Sequence, residues 1–127
     1  MTKFGITYQE QPTPTTCIQT CLAMCLNEPV GNIIERYGEY AMNQQGLIAA
    51  LIKEGIFFNQ FVFGSMVYNG WYFACVPSLN MKGGLHEILI HSGENGDLFI
   101  FDPSPKTKYK EDGSDLISWS DLTPFWN

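Results

Sequence analysis

Cys17 sits where a thiol can be made nucleophilic, at the junction of Gln11-Pro-Thr-Pro-Thr-Thr-Cys17 and the helix-forming run Cys17-Ile-Gln-Thr-Cys-Leu-Ala-Met24. Thr16 followed by Gln19 fits a capping box, with Thr16 as N-cap and Cys17 at the first helical position. Pro12 and Pro14 keep the approach extended. A thiol at a helix start faces unpaired backbone N–H groups and the positive end of the macrodipole. Both favour thiolate, so its pKa is expected to fall. The same N–H groups can hold a developing oxyanion, and an upstream glutamine amide is a suitable second donor. Gln11 is the candidate for that donor and Gln9 the runner-up.

Gln11, Cys17 and Thr20-Cys-Leu-Ala-Met24 resemble the opening of the papain-like cysteine peptidases, above all the bacteriocin-leader-processing (double-glycine) peptidases and their relatives. The resemblance implies a later histidine at the start of a strand and an acidic residue at the end of the next. Gly84-Leu-His86-Glu-Ile-Leu-Ile90 and Leu98-Phe-Ile-Phe-Asp102-Pro103 supply them in that order, so His86 and Asp102 are the implied partners of Cys17. The similarity runs from about Gln11 to the aromatic tail at Trp119 and Trp126. It departs from the pattern at Ile18, where relatives usually carry glycine directly after the nucleophile.

Strand geometry offers a check independent of the resemblance. If His86 lies directly opposite Asp102 in an antiparallel pair, His91 lies opposite Asp97, and the connection is Ser92-Gly-Glu-Asn-Gly96, centred on Glu94. A Gly- and Asn-rich loop of that length is an ordinary hairpin. Both side chains then share one face, which a slip of one residue would undo. His91 and Glu87 are each an odd number of positions from His86, so both face the other way; His91, at a strand end, reads as exposed.

The elements that must carry these residues follow from stop signals and periodicity. A first helix runs from Cys17 to about Leu26, ended by Asn27-Glu-Pro29. A second covers about Asn32 to Tyr37 and stops at Gly38. A third is capped by Asn43, with Leu47, Ile48, Leu51 and Ile52 as its apolar stripe and Gly55 just past its end. Aromatic and β-branched runs at 56–63, 71–76, 86–91 and 97–102 then predict an antiparallel sheet. Helices followed by strands predict an α+β fold, with N-terminal helices packed on a C-terminal sheet. That is the layout of the papain-like fold which the resemblance implies, as a single domain over 1–127.

Composition narrows the class of function. With 45% hydrophobic and 14% aromatic residues, 127 residues can bury a core without disulfides or a structural metal. A net charge of −6 argues against a nucleic-acid surface, and the run Lys106, Lys108, Lys110 is balanced by Glu111, Asp112 and Asp115 as a solvated loop. There is no signal-peptide pattern and no apolar run of membrane-spanning length, so the expectation is a protein that stays in the cytoplasm and meets no membrane. Four cysteines in such a chain fit a reducing compartment better than a disulfide scaffold.

Each candidate also has a bland reading. Cys21, Cys25 and Cys75 read as small core residues; Cys17, Cys21 and Cys25 along one helix suit neither zinc, which favours closer ligand pairs, nor an iron–sulfur loop. Asp102-Pro103 taken alone would simply end a strand and begin a turn. Gln19 is most simply the capping partner of Thr16. The expected activity is acyl transfer from a peptide or amide carbonyl, by a Cys17/His86/Asp102 triad with Gln11 in the oxyanion hole and no cofactor. The expected partner is a peptide or protein substrate. In the leader-processing relatives cleavage follows small residues such as glycine; Gly83-Gly84 of this chain reads instead as the flexible lead into the His86 strand. The alternative is a catalytically silent papain-like module that binds a peptide or partner protein in the same cleft, with Tyr68 to Phe73 and Trp119 to Trp126 as candidate surface. A small metal-binding protein ranks last.

Overall fold

Residue types at the helix ends account for most of the architecture of the first half of the chain. The structure, a computed structural model, describes residues 2–3, 5–58, 70–77, 85–93 and 98–104, grouped into the units Met1–Phe63 and Gly64–Asn127. The first unit begins with two short antiparallel strands, β1 (Thr2–Lys3) and β2 (Ile6–Thr7). Three helices follow: α1 (Cys17–Leu26), α2 (Val30–Tyr37) and α3 (Gln44–Lys53). The β1–β2 ribbon was not expected, because two-residue strands leave no periodic trace in a sequence.

α1 ends where Asn27 turns left-handed at φ 56°, ψ 40° and returns its N–H to Ala23 and Met24. Asparagine tolerates that conformation. α2 begins at Val30, two residues before the expected Asn32, because the side chain of Gln9 supplies its cap from a distance: the Val30 N–H donates to Gln9 Oε1 at 2.8 Å. It stops at Gly38, φ 94°. α3 starts as expected at Asn43, whose Oδ1 accepts the Gly46 N–H at 2.8 Å. Its buried face is Leu47, Ala50 and Leu51; Ile52, expected on the stripe, is 67% exposed. Five positions from Leu47, Ile52 has rotated off the face that residues three and four apart share.

α1 is buried without interruption from Ile18 to Met24 and packs on α2 and β2. A helix buried all round must find partners for its polar side chains. Thr20 Oγ1 donates to the Thr16 carbonyl at 2.7 Å, and Gln19 Nε2 donates to Gly38 O at 3.1 Å and Tyr40 O at 2.7 Å. The expected capping box is therefore absent. Thr16 is the N-cap residue, but its hydroxyl turns back to Thr13 and caps no helical N–H, while Gln19 ties α1 to the segment after α2. Burial decides the matter, since a capping glutamine must reach back along a solvated helix end, whereas Gln19 is fully enclosed.

The second unit holds a three-stranded antiparallel sheet, β3 (Gly70–Pro77), β4 (Leu85–Ser92) and β5 (Leu98–Phe101), with β4 in the middle. The expected run 56–63 is not borne out at 56–58, which form no strand; residues 59–63 lie outside the described residues, as do 83–84, 94–97, the charged segment 106–115 and Trp119 to Trp126. Period-two alternation sorts the sheet into two faces. Even-numbered Tyr72, Ala74, Val76, Ile88, Ile90 and Ile100 pack as one cluster. Odd-numbered Trp71, His91, Phe99 and Phe101 make ring contacts on the other face. The described residues thus have an α+β fold. No helix among them is long and apolar enough to cross a membrane.

Gln19→Leu keeps the volume of the side chain and removes both donors. It is expected to lower unfolding stability by about 1 kcal/mol, the net worth of such hydrogen bonds to the Gly38 and Tyr40 carbonyls, measured by chemical denaturation against wild type.

Candidate active site

β4 and β5 pair through Leu89↔Phe101, Ile90↔Ile100, His91↔Phe99 and Ser92↔Leu98. The expected register, with His91 opposite Asp97, is thereby corrected by two positions: His91 pairs with Phe99, and Asp102 comes abreast of Ile88, not His86. A shift of two preserves the parity of every side chain, so His86 and Asp102 still share the even face, now as diagonal neighbours. The diagonal is short enough for a bond. His86 Nε2 lies 2.7 Å from Asp102 Oδ1, and both residues are buried.

Asp102 both closes a turn and holds His86. The same Oδ1 accepts the Ser104 N–H at 2.8 Å, closing the turn through Pro103 that follows β5. The Ser104 N–H thus fixes the carboxylate that in turn holds the imidazole. Sequence reasoning did not single out Ser104, although Asp-Pro-Ser is a recognisable turn signal. An ionised carboxylate only accepts hydrogen bonds, so Nε2 must carry the proton, and Nδ1 is then the basic nitrogen of the neutral ring.

The odd face carries two further corrections. His91 is half-buried, not exposed, with its ring 4.6 Å from that of Trp71 and 6.2 Å from that of Phe99. Cys75, expected in the core, is exposed. Glu87, directly across from Cys75, lies on this face as expected and is 1% exposed. A central strand covered on both sides leaves no solvated face, and alternation alone cannot reveal that.

In the first unit, Cys17 is the first residue of α1 and is half-buried. No side chain caps the helix start, so no side chain competes for the N–H groups of its first turn. Gln11 and Cys17 flank the turn from Thr13 to Thr16, in which the Thr16 N–H points to the Thr13 carbonyl at 3.4 Å. Gln11 Nε2 donates to that same carbonyl at 2.8 Å. An amide nitrogen carries two protons, and the second has no acceptor among the described residues. Gln9 is committed elsewhere, donating to Glu28 O at 2.7 Å while accepting from Val30, which removes the runner-up for the oxyanion hole. Cys21 is fully buried, and burial pushes the Cys25 thiol above its ordinary pKa, which keeps it protonated and poorly nucleophilic. No disulfide joins the four cysteines, and no group of three or more His, Cys, Asp or Glu among the described residues could hold a metal ion.

The structure therefore brings His86 to Asp102 within the sheet, and sets Gln11 and Cys17 on the two sides of one turn at the head of α1. Compared with known proteins, the chain matches no family model, and no curated protein matches it.

The tautomer is open to direct observation. Long-range ¹H–¹⁵N correlation spectra at neutral or mildly alkaline pH should show neutral His86 with its proton on Nε2, and Asp102→Ala should abolish that preference. A neutral ring with its proton on Nδ1 in the wild type would contradict the assignment.

Proposed function

We propose that the chain is a cysteine peptidase or a related thiol acyl-transfer enzyme, a single papain-like domain over 1–127 that acts on a peptide or amide carbonyl. The observation that carries this reading is the buried bond between His86 Nε2 and Asp102 Oδ1. A histidine ordinarily needs no carboxylate partner at 2.7 Å. A catalytic histidine does, because the partner fixes the ring and stabilises the imidazolium formed during turnover.

In the proposed mechanism the Cys17 sulfur, as thiolate, adds to the carbonyl carbon. The oxygen becomes an oxyanion held by the Cys17 backbone N–H and the second proton of Gln11 Nε2. His86, protonated on both nitrogens after taking the Cys17 thiol proton at Nδ1, gives that proton to the leaving amine as the C–N bond breaks. The acyl group remains on sulfur as a thioester. His86 then takes a proton from water at Nδ1, the hydroxyl adds to the thioester, and the thiolate departs with release of the acid. Asp102 stays ionised throughout and holds Nε2. An amine in place of water would give transpeptidation by the same intermediate. The reading requires Cys17 Sγ to come within proton-transfer reach of His86 Nδ1, and it draws on no cofactor.

Cys75 offers an internal reference, being an exposed thiol of the same molecule. Iodoacetamide at neutral pH should alkylate Cys17 faster than Cys75, as read by mass spectrometry of native protein, and His86→Ala should erase the difference. Labelling of Cys17 that is indifferent to His86 would instead favour the silent binding module. On any turned-over peptide, Cys17→Ala should leave no activity, whereas Gln11→Ala should retain roughly 10⁻² to 10⁻³ of the wild-type rate.

A further inference from the structure

Thr16 has no place in the mechanism above, although its side chain is fully buried directly beside the nucleophile. Its hydroxyl donates to the Thr13 carbonyl at 3.1 Å and accepts the Thr13 N–H at 3.3 Å, and it lies 3.0 Å from Thr13 Oγ1. A hydroxyl has a single proton. With that of Thr16 on the Thr13 carbonyl, Thr13 Oγ1 must be the donor between the two hydroxyls. Every polar capacity of the Thr16 side chain is thus spent on Thr13, and none on the helix that it begins.

The Thr13 carbonyl is the acceptor on which three donors converge: Thr16 Oγ1, the Thr16 N–H at 3.4 Å and Gln11 Nε2 at 2.8 Å. Where that carbonyl points decides where the Gln11 amide points, and hence where its second proton is aimed. We infer that Thr16 is a positioning residue for the oxyanion hole, acting through the Thr13 carbonyl on Gln11. The inference rests on the acyl-transfer reading. A capping threonine would spend its oxygen on a helical N–H; this one clamps the turn that separates the thiol from its second oxyanion donor, and leaves the helix N–H groups of the first turn to the substrate.

The test separates a reaction that passes through an oxyanion from one that does not. With p-nitrophenyl acetate, the Cys17 thiolate adds to the ester carbonyl, a C–S bond forms, and the π electrons move to oxygen. The oxyanion then collapses, breaking the C–O bond and expelling p-nitrophenolate. Iodoacetamide reacts with the same thiolate by displacing iodide at a saturated carbon, with no oxyanion. Thr16→Val, which keeps the shape and loses the hydroxyl, should slow the p-nitrophenolate burst roughly tenfold, short of the ~10² to 10³ of losing a donor outright, and leave the iodoacetamide rate at Cys17 unchanged. Thr16→Ser should restore the burst. Added to Gln11→Ala, Thr16→Val should slow the burst no further.

An unaltered burst in Thr16→Val, an equal fall in both reactions, or a full tenfold further loss in the Gln11→Ala background would each overturn the inference. Should Thr16→Val fail to fold by thermal melting, Thr16→Ala serves under the same criteria. Failure of the underlying reading looks different: Cys17→Ala would then release p-nitrophenolate as fast as the wild type.

Discussion

A carboxylate taken out of water on a β-sheet loses several kcal/mol of hydration, and a single hydrogen bond to a charged group returns about 1.5–3 kcal/mol. One donor does not suffice. Asp102 Oδ1 accepts from two donors, the Ser104 N–H at 2.8 Å and His86 Nε2 at 2.7 Å, and the end of the sheet is organised by that need. The turn through Pro103 brings the Ser104 N–H back, and the pairing of β4 with β5 brings the imidazole. The same requirement that makes the pair structurally necessary gives the ring a fixed tautomer and orientation, which is what proton transfer at its other nitrogen would demand.

Parity is what protects this arrangement. His86 and Asp102 remain on one face for any even displacement of β5 along β4, and an odd displacement would put them on opposite sides. The apolar residues enforce the choice: Ile88, Ile90 and Ile100 share the even face with the pair and are packed with Tyr72, Ala74 and Val76. Sliding β5 by one would expel the partly buried Ile100 from that cluster and expose its apolar surface to water. Hydrophobic packing thus selects the face, and the polar bond settles the position within it.

In the first unit, side-chain amides and hydroxyls do work that backbone pairing performs in the sheet. Gln9 caps α2 from outside the helix, Gln19 holds the carbonyls of Gly38 and Tyr40, and Thr16 locks the turn before α1. Each bond pairs a backbone group where a loop meets a helix. The head of α1 has no side-chain cap as a consequence, since the two residues that could have formed one are both engaged elsewhere.

Much of this was legible in the order of residues alone. The ends of α1 at Cys17 and Leu26, the stop at Gly38 and the cap at Asn43 follow from short-range sterics and from side chains that bond to their own neighbourhood, and such preferences need no partner from elsewhere in the chain. Strand parity was legible for the same reason, because alternation is a property of each strand separately. The sequence therefore determined where α1, α3 and the strands β3 to β5 lie, and that His86 and Asp102 would face one way. Tertiary structure decided what depends on distant residues: the two-position displacement of β5, the burial of Glu87 beside the exposure of Cys75, and the diversion of Gln19 and Thr16 from capping to bracing. A side chain able to bond either to its own helix end or to a remote carbonyl has nearly the same energy in both. Only the packing that excludes water from one of them breaks the tie.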